Sequence, residues 1–216
     1  FDSETKTLTI SGEGDMESYP MLGYIGQNVP WHGYRFSIEK VVIGSGITSI
    51  GSGSFAQYTN LKEVVFDKNS QLKTIGSYAF CSCTRLVNIT IPENVTSIGE
   101  GAFSACTSFV NITIPEKVTS IGEGAFNNCD DLKTITIPES VTSIGNRAFL
   151  YCEKLETVTF AQGSKLKTIG DSAFAACTSL TSITIPDSVT SIGVCAFLKC
   201  SNLTTVTMKG NKPATL

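Results

Sequence analysis

The stretch FVNITIPEKVTSIGEGAFNNCDD, residues 109–131, decides the fold, because close copies of it stand directly before and after it. Aligning the copies on their Ala-Phe pair gives the consensus L-x-x-I-x-I-P-x-x-V-T-S-I-G-x-x-A-F-x-x-C-x-x. Repetition at a period of roughly 20–50 residues predicts stacked turns of chain, because one unit is too small to bury its own apolar side chains. The units occupy 38–60, 61–85, 86–108, 109–131, 132–154, 155–179 and 180–202.

The remaining sequence flanks these seven units. We assign residues 1–37 to an N-terminal cap, a strand plus a loop that contains Trp31, and residues 203–216 to a partial C-terminal repeat. Two units have 25 residues instead of 23, because longer corners replace Pro-x-x-Val at FDKNSQL (66–72) and FAQGSKL (160–166). We expect each insertion to lengthen its corner and to leave the strands on either side intact.

Each unit predicts two short strands. In LKTITIP, residues 132–138, apolar and polar side chains alternate, which is typical of a half-buried strand, and the proline then ends the strand because it lacks an N–H donor. VTSIG predicts a second strand, with its glycine allowing a corner. We expect A-F-x-x-C to form a helical or 3₁₀ turn with Ala, Phe and Cys facing inward. Stacking then produces an internal phenylalanine ladder at Phe55, Phe80, Phe103, Phe126, Phe149, Phe174 and Phe197.

Six of the eight cysteines occupy a single position of the repeat. A zinc site needs ligands that converge, whereas one thiol per turn forms a line, and the first unit has Tyr58 in this position. Small apolar filling of the core is therefore the interpretation we favour. Cys81 and Cys195 lie outside this register, and we expect them to be the accessible thiols. The ladder comprises Cys83, Cys106, Cys129, Cys152, Cys177 and Cys200.

The sequence offers little for catalysis, cofactor binding or metal binding, and we predict no residues for any of them. His32 is the single histidine, and beside Trp31 it is better explained by packing in the cap than by acid–base chemistry. Glycine-rich segments at 11–16 and 44–55 lack the spacing of phosphate-binding loops. A net charge of -3 without a Lys/Arg block does not favour nucleic acid as a partner. No apolar run approaches the roughly 18 residues of a membrane-spanning helix.

The outward positions of the first strand predict a face of small hydroxyl and amide side chains. Tight protein interfaces favour Trp, Tyr and Arg at their centres, and the strand propensity of threonine explains the same pattern without a ligand. Regular T-x-T rows also leave open an ice-binding lattice, which a thermal-hysteresis assay would test. The candidate protein-binding face comprises Asn88, Thr90, Asn111, Thr113, Thr134, Thr136, Thr157, Thr159, Ser182 and Thr184.

The repeat over 38–208, with its A-F-x-x-C endings, resembles the BspA-like leucine-rich-repeat family of bacterial surface proteins. The segment before it resembles the cap of these proteins, in which Leu8 and Ile10 would add a strand and Trp31 would cover the open end of the core. The resemblance implies a right-handed, horseshoe-like or gently curved leucine-rich-repeat solenoid. It also implies secretion or display on the cell surface, with a signal peptide already removed, and binding to extracellular-matrix or cell-surface proteins.

Three functional hypotheses follow. The first is a non-enzymatic, secreted or cell-surface interaction scaffold that mediates protein binding or adhesion to host or other cells. The alternative is a structural spacer within a larger surface protein, with no ligand of its own. An enzyme is the third, and it would require His32 or an off-register cysteine to act.

Overall fold

The computed structural model describes residues 1–19 and 29–210, in which short parallel strands succeed one another along a solenoid. The front strands have odd numbers: seven come from the L-x-x-I-x-I part of the units, the first comes from the cap and the last from the partial repeat. They are β1 Thr7–Ile10, β3 Lys40–Ile43, β5 Glu63–Phe66, β7 Asn88–Ile89, β9 Asn111–Ile112, β11 Thr134–Ile137, β13 Thr157–Phe160, β15 Ser182–Ile185 and β17 Thr205–Met208.

The back sheet has even-numbered strands, and seven of its eight come from V-T-S-I or its equivalent. All eight strands pair in parallel without interruption, so this sheet runs the length of the stack. The strands are β2 Gly14–Asp15, β4 Ile47–Ile50, β6 Thr74–Ile75, β8 Ser97–Ile98, β10 Ser120–Ile121, β12 Ser143–Ile144, β14 Thr168–Ile169 and β16 Ser191–Ile192.

The A-F-x-x-C segments form a third ladder of tight turns, so the predicted helical or 3₁₀ conformation is wrong. Phe126 donates its backbone N–H to Ala148 of the next turn at 2.8 Å, whereas Cys129 donates to Phe126 of its own turn at 3.3 Å. Successive N–H donors thus alternate between the next turn and their own turn, whereas a helix would direct them to carbonyl oxygens of its own segment. Within the described residues, the one helix is the 3₁₀ turn His32–Tyr34.

The predicted phenylalanine ladder is confirmed. Successive rings from Phe55 to Phe197 stack nearly parallel, with centroids 5.2–5.7 Å apart. Trp31 continues the stack at the amino-terminal end, 5.7 Å from the Phe55 ring. Strand β1, with Leu8 and Ile10, pairs in parallel with β3. Residues 20–28 of the predicted cap and 211–216 of the predicted partial repeat lie outside the described residues.

The glycine of V-T-S-I-G is required because the backbones of neighbouring turns approach too closely there for a side chain, and not because a corner needs its φ angle. A Cβ atom on Gly122 would lie 2.5 Å from the carbonyl carbon of Gly99 in the preceding turn. Positive φ angles occur instead a few residues later in the same unit, at Gly124 and Asn128, both at 57°. Side chains other than glycine occupy most positions of this second kind, for example Arg147 and Ser172.

Unlike the back sheet, the front strands divide into three separate sheets: β1-β3-β5, β7-β9-β11-β13 and β15-β17. Pairing covers four residues where the residue after the strand has an N–H to donate. Asp67, Ala161 and Lys209 each donate this N–H at 3.0 Å to the last strand residue of the preceding turn. The corresponding registers are β3 with β5, β11 with β13 and β15 with β17.

Pairing is short or lost where proline follows the strand, because proline cannot donate. β7 pairs with β9 over two residues and β9 with β11 over one, with Pro115 and Pro138 after the incoming strands. Before Pro92 and Pro186 the ladder is interrupted completely. Both interruptions follow a 25-residue unit. The insertions therefore leave their own strands intact, as predicted, but the strand after each one no longer pairs with it.

Candidate protein-binding face

All ten side chains of the candidate face are exposed. Register partners place Thr134 beside Thr157 and Thr136 beside Thr159. None of the ten makes a hydrogen bond or ion pair with any part of the chain that the structure describes. Threonines before the back strands differ, since the hydroxyls of Thr96 and Thr142 donate to backbone oxygens of the preceding turn at 3.2 and 3.1 Å. The polar groups of the front face are thus free for a partner.

The structure does not bring these residues into one continuous sheet, so the predicted face of small hydroxyl and amide side chains is divided. Thr90 and Thr113 lie just beyond the two-residue strands β7 and β9. Ser182 and Thr184 lie on β15, which belongs to a separate sheet with β17. An interruption therefore separates these two side chains from Thr157 and Thr159 on β13.

A crevice opens at each interruption of the front ladder. Crevice A lies between β5 and β7, is lined by residues 63–71, 88 and 90–94, and encloses about 770 Å³. Crevice B lies between β13 and β15, is lined by residues 156–164, 181–184, 186, 187 and 209, and encloses about 480 Å³. Thr157, Thr159, Ser182 and Thr184 of the candidate face line crevice B, and Asn88 and Thr90 line crevice A.

A half-buried phenylalanine lines each crevice, Phe66 in A and Phe160 in B, and each also packs against the core. Neither phenylalanine was predicted to reach the front surface, where the sequence indicated small hydroxyl and amide side chains. The signal was present, because phenylalanine replaces isoleucine at the last strand position in the two 25-residue units and in no other unit between 38 and 202.

Both crevices carry more carboxylates than ammonium groups. Crevice A has Glu63, Asp67 and Glu93 against Lys68. Of these carboxylates, Glu63 pairs with Lys40 at 2.9 Å and Asp67 accepts the Ser45 backbone N–H at 3.1 Å. The exposed Glu93 makes no hydrogen bond or ion pair with the described residues.

Crevice B has Glu156 and Asp187 against Lys209. Asp187 occupies the same repeat position as Glu93 and is likewise exposed. It has no hydrogen-bonding or ionic partner among residues 1–19 and 29–210. Each crevice therefore offers one unpaired carboxylate at an equivalent position.

The cysteine ladder is buried as predicted, apart from the half-buried Cys200 at its end, and it has a second role. Each ladder thiol donates to the backbone oxygen of the phenylalanine in the preceding turn at 3.0–3.2 Å. Burial raises the pKa of Cys152 to about 12, so this thiol keeps its proton at neutral pH. The thiols point at separate oxygens and do not converge.

The two off-register cysteines differ from each other. Cys195 is exposed, as expected, but Cys81 is buried and only 9% accessible, so that part of the prediction is wrong. Cys81 follows Phe80 directly in a turn covered by its neighbours on both sides, and its Sγ lies 3.6 Å from the Ser82 hydroxyl. Register alone did not reveal this burial.

Three further features of the described residues bear on catalysis, metal binding and membrane insertion: His32, the possible metal ligands and the helices. His32 lies in the 3₁₀ turn, where burial and then the Arg35 charge lower its pKa. No group of three or more His, Cys, Asp or Glu side chains in residues 1–19 and 29–210 could hold a metal ion. Among the same residues there is no helix with the length and apolar character needed to cross a membrane.

Comparisons with known proteins agree with this geometry. The family model described as the BspA type leucine rich repeat region matches residues 32–156 and 120–213, in six copies. A leucine-rich repeat protein from Bacteroides ovatus is 35% identical, with a TM-score of 0.69 over 74% of this chain. This chain covers only 41% of that protein. Comparison with curated proteins gives no match.

Two further solved structures share the fold. A leucine-rich repeat protein from Eubacterium ventriosum is 25% identical, with a TM-score of 0.55, and the similarity covers 96% of this chain and 68% of that one. A leucine rich repeat protein of T. pallidum is 23% identical, with a TM-score of 0.66 and coverage of 81% and 78%. Both are solenoids of this kind, and the second supports the fold alone.

Proposed function

This chain belongs to the BspA-type leucine-rich repeat proteins, and on that premise we propose that it is a secreted or cell-surface scaffold that binds proteins of the extracellular matrix or of other cells. Leucine-rich repeats generally mediate protein–protein interaction, which supports the binding role. Cell-surface display and adhesion rest on the family resemblance.

The observation that carries the proposal is the contrast between the two sets of threonines. Threonines before the back strands use their hydroxyls on neighbouring backbone oxygens, whereas the front-face side chains have no partner in the described structure. Strand propensity explains why threonine occurs in both places. It does not explain why only one set keeps its hydrogen-bonding capacity free.

The proposal is tested by binding of the purified chain to immobilised extracellular-matrix proteins. The double variant Thr136→Lys/Thr159→Lys places two long cations on adjacent front strands and is expected to weaken binding at least about tenfold, or roughly 1.4 kcal/mol. The control Thr168→Lys/Ser191→Lys adds the same charge at register partners of the back sheet and is expected to change binding less than about twofold.

Two results would count against this function. Equal losses in both double variants would show that added charge, and not the front face, governs binding. Failure of the unmodified chain to bind any matrix or cell-surface protein would favour the alternative role of a spacer without a ligand.

A further inference from the structure

We propose that crevices A and B each bind one arginine side chain of a single protein partner, so that the partner is recognised by two cations held a fixed distance apart. This inference rests on the proposed function, because it specifies the chemistry of the partner. It is carried by the repetition of one set of groups at both interruptions of the front ladder.

Equivalent positions of the repeat line the two crevices. Each has a phenylalanine at the end of the preceding strand, a proline after the following strand and a carboxylate directly after that proline. The pairs are Phe66 and Phe160, Pro92 and Pro186, and Glu93 and Asp187. The carboxylate after the proline does not by itself mark an interruption. Glu116 occupies the same repeat position as Glu93 and Asp187, but it follows strand β9, which pairs with β11.

These groups match a guanidinium better than a neutral ligand. An arginine can stack its flat head on an aromatic ring and direct its N–H groups to a carboxylate in the same pocket. Net formal charge favours a cation in both crevices, with three carboxylates in A against Lys68 and the Lys40 that pairs with Glu63, and two carboxylates in B against Lys209.

The missing ladder bonds add acceptors to each crevice. The backbone oxygens of Phe66 and Phe160 would receive an N–H from the next turn if the ladder continued, as Ile43 and Ile137 do at 3.0 Å. Pro92 and Pro186 cannot supply it. A half-buried phenylalanine, a carboxylate and a carbonyl oxygen without a ladder donor therefore line each interruption, and the last two accept hydrogen bonds from a guanidinium.

The distance between the crevices is set by the stack. Four steps separate β5 from β13, three between paired strands about 4.8 Å apart and one across crevice A, so the two sites lie at least about 19 Å apart. A partner with two arginines at this spacing can occupy both crevices at once, and the second contact then forms at a high effective concentration.

Peptides with rigid spacers test the distance directly. A polyproline II spacer extends about 3.1 Å per residue, so Arg-Pro₅-Arg places its arginines about 19 Å apart, Arg-Pro₂-Arg about 9 Å and Arg-Pro₉-Arg about 31 Å. Titration of the whole chain with labelled peptides, followed by fluorescence anisotropy at low salt, should show the five-proline peptide binding at least about tenfold more tightly than the other two. Gln-Pro₅-Gln should not bind measurably.

Matched variants identify the carboxylates. Glu93→Gln/Asp187→Asn should weaken binding of Arg-Pro₅-Arg at least about tenfold. Glu116→Gln/Glu153→Gln changes the net charge equally at exposed carboxylates outside the crevices, and it should weaken binding less than about twofold. All four side chains are exposed, so the variants should fold, and circular dichroism verifies this.

Equal binding of the three arginine peptides, or equal losses in both double variants, would overturn the inference in favour of non-specific charge attraction. Equal binding of the glutamine peptide would show that the crevices recognise something other than a cation and would overturn it too. If the peptides fail to bind while Thr136→Lys/Thr159→Lys still weakens binding to a matrix protein at least about tenfold, the inference is overturned and the proposed function stands without the arginine sites.

Discussion

A repeat-position cysteine in this solenoid fills space and also satisfies a backbone oxygen. Cys129 is fully buried, and its thiol donates at 3.2 Å to the Phe103 oxygen of the preceding turn. Burial raises the pKa of this thiol well above its ordinary value, so it stays a neutral donor. Tyr58 takes the position in the first unit, where its ring packs against Phe55 with centroids 5.8 Å apart.

Glycine has two separate roles that a pair of substitutions distinguishes. A Cβ atom at Gly122 would press on the backbone of Gly99, whereas one at Gly124 meets nothing closer than 3.7 Å. Gly122→Ala should therefore lower the free energy of unfolding by at least about 3 kcal/mol, because neighbouring turns must separate. Gly124→Ala should cost only about 1–2 kcal/mol, the price of a left-handed alanine.

Urea denaturation followed by far-ultraviolet circular dichroism measures both changes under the same conditions. Similar midpoints for the two variants would contradict a close backbone contact at Gly122. Gly124→Ala should be the milder substitution, because residues with side chains already adopt this positive φ at the equivalent positions Arg147 and Ser172.

At the scale of the element, the front ladder is weak where the back sheet is continuous. Thr157 on β13 donates its backbone N–H to Lys133 of the preceding turn, whereas β15 has no partner strand on the β13 side. The amides that would bridge β13 and β15 are therefore left to solvent. Local opening free energies should follow this difference.

Hydrogen exchange compares Thr159 with Thr184, which occupy the same position of the repeat and are both exposed threonines. The Thr184 amide should exchange at least about 100-fold faster, because β13 pairs fully with β11 while β15 does not pair with β13. Exchange measured by NMR in the native protein gives both rates in one experiment. Equal protection of the two amides would show that the ladder is not interrupted in solution.

The sequence predicted the strands and the phenylalanine ladder because the same pattern recurs seven times and admits one stacking register. It did not predict the turn at A-F-x-x-C, since five residues can direct their N–H groups within the turn or along the stack, and the neighbouring carbonyl oxygens decide which. The interruptions were also missed, although Pro92 and Pro186 carried the signal. Proline was recognised as ending a strand. Whether the strand still pairs with the preceding turn depends on the length of the corner in that turn, because pairing in the described stack is lost only after the two 25-residue units.

For the whole molecule, stability is distributed along one dimension, because each turn packs on its two neighbours. The last complete unit is the least covered part of the described stack, with Val194 and Leu198 exposed at 71% and 52%. Opening should therefore begin near this unit and reach the central turns last. Thiols report on this order because they occur in six successive turns.

The central claim is that successive turns stack in register around a dry interior, and thiol alkylation of the native protein tests it most directly. Iodoacetamide labelling followed by mass spectrometry of peptides should modify the exposed Cys195 first and the half-buried Cys200 next. Cys81 and the five buried ladder thiols should react only at the rate at which the chain unfolds. Labelling of Cys129 as fast as Cys195 under native conditions would contradict the account.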